Sequence, residues 1–411
     1  MNKKFTYQFI DSDDIFLIKN DTEKFYYNDY SNLISNIKEK VIPNDNFKYN
    51  NKNRHEIDSA RIKIITTNRC NLCCEYCFSG HDRKYEDLDF EIIKPFLTKF
   101  KEKNLSHLNI SFVGGGEPSL NFGCIKKCVD FTKGITNITF DILSNGLLSA
   151  TDISYLLNNN FSFMISLDGD YDIMNNQQKC NFSHESFEKI INNINYIQQH
   201  AKLYITSVIT KRTLNTYKNN IDLLIEKTLG YFSKLGIQNI NSTFDTSIFY
   251  QDLDESTIKS MVEYGIKTIK WKAHNPQIYL VNYQLYAKTE SYDPLAQCAD
   301  LIRFPTRNVT IMPDGTYSFC HIEQDKAFKC QYKDFQNGTN PFKHNDIISD
   351  IMKKVRHQRK MCYRCIARQT CMRNVCPVTI FQVSQKEFEK YCKNNISFRL
   401  KILKGLMNNI M

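Results

Sequence analysis

The chain has 411 residues, of which 42% are hydrophobic and 24% charged, and it carries a net charge of +10. This composition is globular and excludes a wholly disordered or collagen-like chain, while the length predicts two or three domains. With no run of about 18 apolar residues and no signal-peptide core, we expect a cytoplasmic protein without a membrane partner. Basic residues are spread along the chain, which argues against a nucleic-acid partner.

Residues 1–60 predict a small α+β cap ahead of the main domain. Phe5–Ile10, Ile15–Lys19 and Phe25–Tyr27 are short strand-like runs, and Tyr30–Val41 has a helical pattern. They resemble the first half of the winged-helix leader-peptide recognition domains of peptide-modifying enzymes. A truncated recognition domain, which would capture a peptide at a strand edge, and a simple cap both stay open.

Residues 61–285 alternate six strand-like runs with helical runs. Strand–helix units in succession predict a parallel sheet, which either closes into a barrel or stays open. The predicted strands are Arg61–Thr67, Leu108–Val113, Ile138–Leu143, Phe161–Leu167, Leu203–Thr210 and Ile237–Phe244. The predicted helices are Phe90–Lys103, Phe122–Lys133, Asp152–Asn158, Phe187–His200, Tyr217–Lys234 and Glu255–Lys272.

Residues 286–411 lose this alternation and become rich in cysteine. Val309–Met312 and Thr316–Cys320 flank a Pro-Asp-Gly turn and predict a hairpin. The tail Phe398–Met411 has the apolar spacing of an amphipathic helix. We therefore place a third, C-terminal unit here.

The chain contains 15 cysteines, most of them in two dense groups. A disulfide framework belongs to short secreted chains, so metal ligation is the leading explanation. Cys124, Cys128 and Cys180 lie outside both groups, and we interpret them as small buried side chains.

The first group, Cys70, Cys74 and Cys77, has the spacing C-x3-C-x2-C directly after the first predicted strand. Three thiolates on one loop can bind three irons of a four-iron cluster and leave the fourth open. A zinc site or a redox dithiol made by Cys74 and Cys77 are the alternatives. Cys73 fits no ligand position and is interpreted as a spare thiol.

This loop resembles that of the radical S-adenosylmethionine (SAM) superfamily. The resemblance implies a partial (β/α)6 TIM-like barrel and a [4Fe–4S] cluster whose open iron binds SAM. It also implies that reduction of the cluster cleaves SAM to a 5′-deoxyadenosyl radical, which takes a hydrogen atom from the substrate.

Further motifs at the ends of the next three predicted strands support the resemblance: Gly114–Pro118, Ser144–Gly146 and Ser166–Gly169. One departure follows the last motif, where relatives carry His-Asp-x-x-Arg but this chain has Tyr171–Asn175. By resemblance the SAM-binding residues are Tyr76, which would pack on adenine, Gly115, Gly116, Glu117, Ser144, Asn145, Ser166 and Asp168.

The second cysteine group resembles the SPASM extension, a C-terminal domain that binds two auxiliary [4Fe–4S] clusters. Together with the SAM-binding cluster, the resemblance implies three clusters. Its spacing departs by one residue, because Cys376 comes one position late. Many such relatives also have a cysteine a few residues before the position of Cys298, and this chain has none at 291–297. The first auxiliary cluster would therefore have three cysteine ligands, with an open iron for a substrate thiolate, or take a fourth ligand such as Cys330. The resemblance assigns Cys298, Cys320 and Cys376 to the first auxiliary cluster, and Cys362, Cys365, Cys371 and Cys392 to the second.

The function that these resemblances imply is radical modification of a ribosomally synthesised peptide, giving a thioether or carbon–carbon crosslink or a related oxidation. An electron donor such as flavodoxin or ferredoxin would be a partner. The alternatives are an anaerobic sulfatase maturase, which makes formylglycine, and a non-catalytic iron–sulfur or zinc interaction protein. No catalytic base is identified among the 44 carboxylates.

Overall fold

We describe the fold from a computed structural model. It describes residues 6–9, 16–19, 24–27, 59–77, 79, 85–102, 107–135, 137–178, 182–280, 308–318 and 384–407. The strands are β1 (Thr6–Phe9), β2 (Phe16–Lys19), β3 (Lys24–Tyr27), β4 (Ser59–Ile64), β5 (His107–Phe112), β6 (Ile138–Ser144), β7 (Phe161–Ser166), β8 (Leu203–Ile209), β9 (Asn239–Phe244), β10 (Tyr279–Leu280), β11 (Asn308–Ile311) and β12 (Tyr317–Ser318).

Helices follow most strands of the barrel, as the alternating pattern predicts. In the described chain none of them is long and apolar enough to cross a membrane. They are α1 (Phe90–Glu102), α2 (Phe122–Thr132), α3 (Ala150–Asn158), α4 (Tyr171–Asn176), α5 (His184–Ile197), α6 (Lys211–Tyr217), α7 (Ile221–Ile225), α8 (Tyr231–Lys234), α9 (Glu255–His274) and α10 (Gln385–Met407).

The described strands form two sheets. β1, β2 and β3 make a small antiparallel sheet, while the other nine form one sheet in the order β10-β9-β8-β7-β6-β5-β4-β11-β12. Its neighbours are parallel except β11 and β12, which form the predicted hairpin. The order is linear, so the sheet does not close, and the predicted α/β partial barrel is confirmed.

Alternation along the strands divides the large sheet into an apolar and a polar face. Ile62, Ile110 and Ile142 are fully buried and belong to one core that also contains Leu97 of α1 and Ile125 of α2. Burial of such aliphatic side chains stabilises the fold by about 1.5–3 kcal/mol each. On the other face polar residues hydrogen-bond across strands, for example Asn109 Nδ2 to Asp141 Oδ2 at 2.9 Å.

The helical region before β9 differs from the single helix predicted for Tyr217–Lys234. A new helix begins at Ile221 because the Asn220 side chain caps it, accepting a hydrogen bond from the Leu223 N–H at 3.0 Å. A π-helical turn, Glu226–Gly230, then separates α7 from α8. This turn places Lys227 beside the loop after β7, as shown below.

Two segments of the predicted C-terminal unit belong to the barrel region. β11 pairs with β4 and so extends the large sheet. Helix α10 begins earlier than the predicted tail helix and packs on the barrel, where the Phe398 ring lies 5.5 Å from the ring of Phe244 and 5.8 Å from that of Phe249. The domain boundary near residue 285 stays a prediction. The predicted helix Tyr30–Val41 and Cys180 lie outside the described residues.

Candidate SAM and iron–sulfur site

Cys70, Cys74 and Cys77 lie on the loop after β4, at the carboxyl end of the sheet. All three side chains are half-buried, and the Cys77 N–H donates to the Cys74 carbonyl at 3.1 Å. In parallel strand–helix folds this edge carries the ligand sites. The structure therefore places the predicted metal ligands where a bound group would be reached by the neighbouring loops.

Arg69 anchors the start of this cysteine loop. Its guanidinium bonds both carboxylate oxygens of Asp87, with Nε to Oδ1 at 3.0 Å and Nη2 to Oδ2 at 2.6 Å. Although partial burial opposes it, bonding to Arg69 and Thr67 lowers the pKa of Asp87. A bidentate pair of this kind fixes both position and orientation.

The glycine turn after β5 packs directly on the cysteine loop. The Gly116 N–H donates to the Thr67 carbonyl at 2.9 Å, and the Glu117 N–H donates to the Arg69 carbonyl at 2.7 Å. A Cβ added at Gly116 would overlap the Arg69 carbonyl. The structure shows that the close approach is to the chain's own cysteine loop.

Glu117 links the loops that follow β5 and β6. Its carboxylate accepts hydrogen bonds from Ser144 Oγ at 2.9 Å and from the Asn145 N–H at 2.7 Å, and it also accepts from Ser119. Burial raises the pKa of Glu117, and these donors only partly offset the effect. Because both oxygens are bonded to the chain, Glu117 holds the two loops together.

Asn145 reaches back from the end of β6 to the cysteine loop. Its side-chain Nδ2 donates to Asn71 Oδ1 at 2.7 Å and lies 3.9 Å from Cys70 Sγ. Ser166, at the end of β7, is half-buried and lies 3.4 Å from Thr206, oxygen to oxygen. The motifs predicted at three strand ends are thus brought to one edge of the sheet.

Asp168 ties Tyr76 of the cysteine loop to the barrel. Its carboxylate accepts hydrogen bonds from the Tyr76 hydroxyl at 2.7 Å and from the Val208 N–H at 2.8 Å. Burial raises the pKa of Asp168 to about 7 even though both bonds favour the charged form. Burial, and then the Asp168 charge, also raises the pKa of Tyr76. The sequence analysis names Tyr76 and Asp168 separately as SAM-binding residues, but it does not predict that they contact each other.

Gln178, which the sequence reasoning missed, contacts the middle cysteine. Its Nε2 donates to Cys74 Sγ at 3.2 Å, and its Oε1 accepts from the Cys73 N–H at 3.0 Å. Backbone pairing between Cys74 and Gln178 holds the two segments together. The two residues are 104 positions apart, so no local pattern in the sequence could have found this contact.

Lys227, also missed, supplies a cation at the loop where the sequence departs from the expected His-Asp-x-x-Arg. Its ammonium lies 2.8 Å from Asp170 and 2.5 Å from Asp172. The Asp170 N–H in turn donates to the Lys227 carbonyl at 2.8 Å. A basic residue is therefore present beside this loop, and it comes from the π-helical turn rather than from the motif.

The thiol environment fits an iron–sulfur cluster better than an unliganded dithiol. Burial, more than the Asp168 charge, raises the pKa of the Cys74 thiol to about 12, so this thiol becomes a thiolate at neutral pH only beside a compensating cation. Among the described residues no three His, Cys, Asp or Glu side chains converge on a single-ion position. The ligands of a four-iron cluster bind separate irons and need no such convergence.

The predicted auxiliary-cluster ligands are only partly covered by the structure. Cys392 lies on α10, half-buried against the barrel core. Cys124 and Cys128 are buried in α2, as predicted. Cys298, Cys320, Cys330, Cys362, Cys365, Cys371 and Cys376 lie outside the described residues.

Comparison with known proteins finds similarity in the part of the chain that contains the cysteine loop. Residues 64–224 match the family model described as Radical SAM superfamily. The radical SAM cyclopropyl synthase TigE of Paramaledivibacter caminithermalis is 25% identical over 227 residues, which are 50% of this chain and 46% of TigE. A cysteine-type anaerobic sulfatase-maturating enzyme of Clostridium novyi is 29% identical over 167 residues, 38% of this chain and 44% of that protein. The chain thus spans about half the length of these curated relatives.

Solved structures show the same fold. Native anSMEcpe with bound AdoMet and Kp18Cys peptide superposes with a TM-score of 0.59 and 14% identity, covering 85% of this chain and 99% of that one. Streptococcus suis SuiB bound to precursor peptide SuiA superposes with a TM-score of 0.52 and 14% identity, covering 80% of this chain and 74% of that one. Residues 64–224, which carry the cysteine loop and the motifs at the strand ends, are therefore a radical SAM domain.

Proposed function

We propose that this enzyme modifies a ribosomally synthesised peptide by radical chemistry. Cys70, Cys74 and Cys77 would hold a [4Fe–4S] cluster, and SAM would bind its open iron. When bound, the cluster and SAM together supply a radical that removes a hydrogen atom from an unactivated C–H bond. The observation that carries the proposal is the cysteine loop itself, which separate contacts hold at the carboxyl edge of a radical SAM domain.

The residues around the loop divide into two proposed roles. Tyr76, Asn145 and Ser166 have half-buried side chains near the cysteine loop or at the strand ends, and we assign them to direct contact with SAM. Glu117 and Asp168 are buried and bonded to the chain itself, so we assign them to positioning. Gly115 and Gly116 would present the turn backbone to the methionyl amino group, as in the family.

A peptide is the substrate class that the relatives favour. Two structures of the same fold are complexes with peptides, anSMEcpe with Kp18Cys and SuiB with its precursor SuiA. The SPASM-like cysteines add to this proposal, since Cys298, Cys320 and Cys376, with Cys362, Cys365, Cys371 and Cys392, would hold two auxiliary clusters. A one-electron donor such as flavodoxin or ferredoxin would reduce the SAM-binding cluster.

A sulfatase maturase is the second candidate. The observation that favours it is the match to the Clostridium novyi enzyme, which has the higher identity of the two curated relatives described above. The two candidates differ in product. A crosslink removes two hydrogen atoms from the peptide without creating a carbonyl group, whereas formylglycine formation converts the CH2SH group of a cysteine or the CH2OH group of a serine to an aldehyde.

Reductive cleavage of SAM tests the proposed enzyme activity. The protein is reconstituted with iron and sulfide without air, then given SAM and dithionite, and 5′-deoxyadenosine is measured by chromatography. We expect 5′-deoxyadenosine from the wild type and from Cys73→Ala, because Cys73 is not a proposed ligand. Cys74→Ala should lose more than the roughly 10–100-fold that mutation of a residue supporting a metal ligand costs, because it removes a ligand itself. An equal yield from wild type and Cys74→Ala would contradict the proposal.

The substrate class is tested with the products of neighbouring reading frames. Each candidate peptide or sulfatase fragment is incubated with the reconstituted enzyme and analysed by mass spectrometry. A peptide that loses two hydrogen atoms without gaining a carbonyl group supports crosslinking, and a fragment that gains an aldehyde supports the maturase. 5′-Deoxyadenosine formation alone, with neither product, would leave radical activity in place and remove both substrate assignments.

A further inference from the structure

The orientation of the Gln178 side-chain amide is determined by its neighbours. Its oxygen lies 3.0 Å from the Cys73 backbone N–H, and its nitrogen lies 3.2 Å from Cys74 Sγ. A backbone N–H can only donate, so the oxygen must face Cys73. The nitrogen therefore points an N–H at the sulfur of a proposed cluster ligand.

Backbone pairing keeps this amide in place. Cys74 and Gln178 form an antiparallel bridge, and the Glu75 N–H donates to the Gln177 carbonyl at 2.9 Å. Gln178 is only 5% exposed, so water does not compete strongly for the N–H. Hydrogen bonds in such a shielded setting act more strongly on nearby charge than exposed ones.

We propose that Gln178 raises the reduction potential of the SAM-binding cluster through its hydrogen bond to Cys74. This rests on the proposed function, because it requires a cluster on Cys70, Cys74 and Cys77. The cluster takes up one electron from an external one-electron reductant, and Gln178 keeps its protons throughout. Reduction adds negative charge to the cluster and its sulfurs, so an N–H donor stabilises the reduced state more than the oxidised state.

Gln178 is thus a positioning residue that makes the electron transfer to the cluster easier without touching the substrate. Asn145 Nδ2, at 3.9 Å from Cys70 Sγ, is too distant to act with similar strength. Of the Gln178 and Asn145 amides, that of Gln178 therefore makes the shorter approach to a ligand sulfur.

A redox titration of the cluster tests this role. Wild type, Gln178→Met and Gln177→Met are reconstituted without air and titrated with dithionite, and the reduced cluster is followed by electron paramagnetic resonance. Methionine keeps the length of the side chain but removes the amide. Gln177 is the matched control, because its Nε2 donates to the Val208 carbonyl at 3.0 Å rather than to a cysteine.

We expect the midpoint potential of Gln178→Met to shift below that of wild type, while Gln177→Met stays at the wild-type value. An unchanged potential in Gln178→Met, or an equal shift in both variants, would overturn the inference. Iron and sulfide contents are measured on every sample. A wild type that binds no cluster refutes the proposed function itself, which is a different result from a cluster whose potential does not depend on Gln178.

A second measurement needs no variant and so does not depend on whether Gln178→Met folds. The glutamine side-chain amides of the wild type are labelled with nitrogen-15, and the reduced cluster is examined by pulsed paramagnetic resonance. A weak nitrogen coupling is expected from an amide 3.2 Å from a ligand sulfur. A reduced cluster without this coupling would contradict the hydrogen bond.

Discussion

At the scale of single residues, the cysteine loop depends on close contacts that tolerate no added atoms. Gly116 lies so near Arg69 that a methyl group cannot be placed there, whereas a Cβ added at Gly123 in α2 meets nothing within 4 Å. Both positions are glycine, but only the first is required by packing.

Gly116→Ala should therefore displace the cysteine loop and lower both cluster content and stability. Overpacking of this kind costs about 1–3 kcal/mol. Gly123→Ala lies in a helix and should be neutral or stabilising by up to about 1 kcal/mol. Iron content after reconstitution and the free energy of unfolding measure the two effects. Normal iron content in Gly116→Ala would show that the turn can move without affecting the ligands.

Asp168 should make the stability of the metal-free protein depend on pH. Its folded-state pKa is raised from 3.8 to about 7 by burial, so ionisation opposes folding. The stabilisation from the neutral form is complete below pH 3.8 and is lost as the pH rises towards 7. Asp168→Asn should thus gain stability relative to wild type as the pH rises, with no further gain above about 7.

Asp87 provides a control, because its contribution to stability should change with pH in the direction opposite to that of Asp168. Its pKa is lowered by the bonds to Arg69 and Thr67, against the effect of burial, so it stabilises the fold when ionised and loses this effect in acid. Asp87→Asn should be less stable than wild type at neutral pH, and the difference should shrink as the pH falls. Thermal unfolding measured from about pH 8 down to below 3.8, the ordinary pKa of both carboxyls, compares the variants. Parallel pH profiles for wild type and Asp168→Asn would disprove the assignment.

At the scale of elements, the π-helical turn between α7 and α8 supports the loop after β7. Lys227 lies on this turn and bonds both Asp170 and Asp172, and Gly169 packs against its carbonyl. π-Turns are rare and are frequently found at functional sites. The turn therefore holds the loop that carries Asp168 and, through it, Tyr76.

Lys227→Met should destabilise the protein by about 1–3 kcal/mol, because it leaves the half-buried Asp170 without its cation. Lys234→Met is the matched control: Lys234 pairs with Glu226, and both side chains are more than 60% exposed, at 68% and 62%. Exposed pairs contribute little, so this variant should stay within about 0.5 kcal/mol of wild type. Denaturant unfolding distinguishes them, and equal effects would exclude a special role for Lys227.

At the scale of the whole molecule, helix α10 docks on the barrel. Asn394 donates to the carbonyls of Phe249 and Gln251 at 2.9 and 3.0 Å, and Lys390 pairs with Asp252. Cys392, a proposed auxiliary-cluster ligand, lies between these contacts. The helix would therefore set the position of the second auxiliary cluster relative to the barrel.

Phe398→Ala should weaken this docking by about 3–5 kcal/mol, the usual cost of emptying a buried aromatic position. Phe398 is 2% exposed and packs on the aromatic rings of Phe244 and Phe249. Lys401→Ala, at an exposed position of the same helix, should have little effect. Hydrogen exchange of α10 amides measures the docking. Unchanged exchange in Phe398→Ala would show that the helix does not depend on this contact.

The sequence by itself determined the order of strands and helices, the hairpin and the position of the cysteine loop. These follow from local patterns: the alternation of apolar residues, the spacing of three thiols, and glycine motifs at strand ends. Boundaries were accurate to a few residues, as for Phe90–Glu102, but the break at Asn220 was missed. A side-chain cap competes with helix continuation there, and the apolar spacing of the surrounding residues continues across it.

Only the tertiary structure decided which side chains serve the cysteine loop. Gln178 reaches Cys74 across 104 positions, Asp168 meets Tyr76 across 92, and Lys227 meets Asp170 across 57. Parallel strands bring their carboxyl ends to one edge however far apart they are in the chain, so these contacts arise from sheet order and packing. Local sequence patterns extend over a few residues, so they do not indicate which distant residues contact each other.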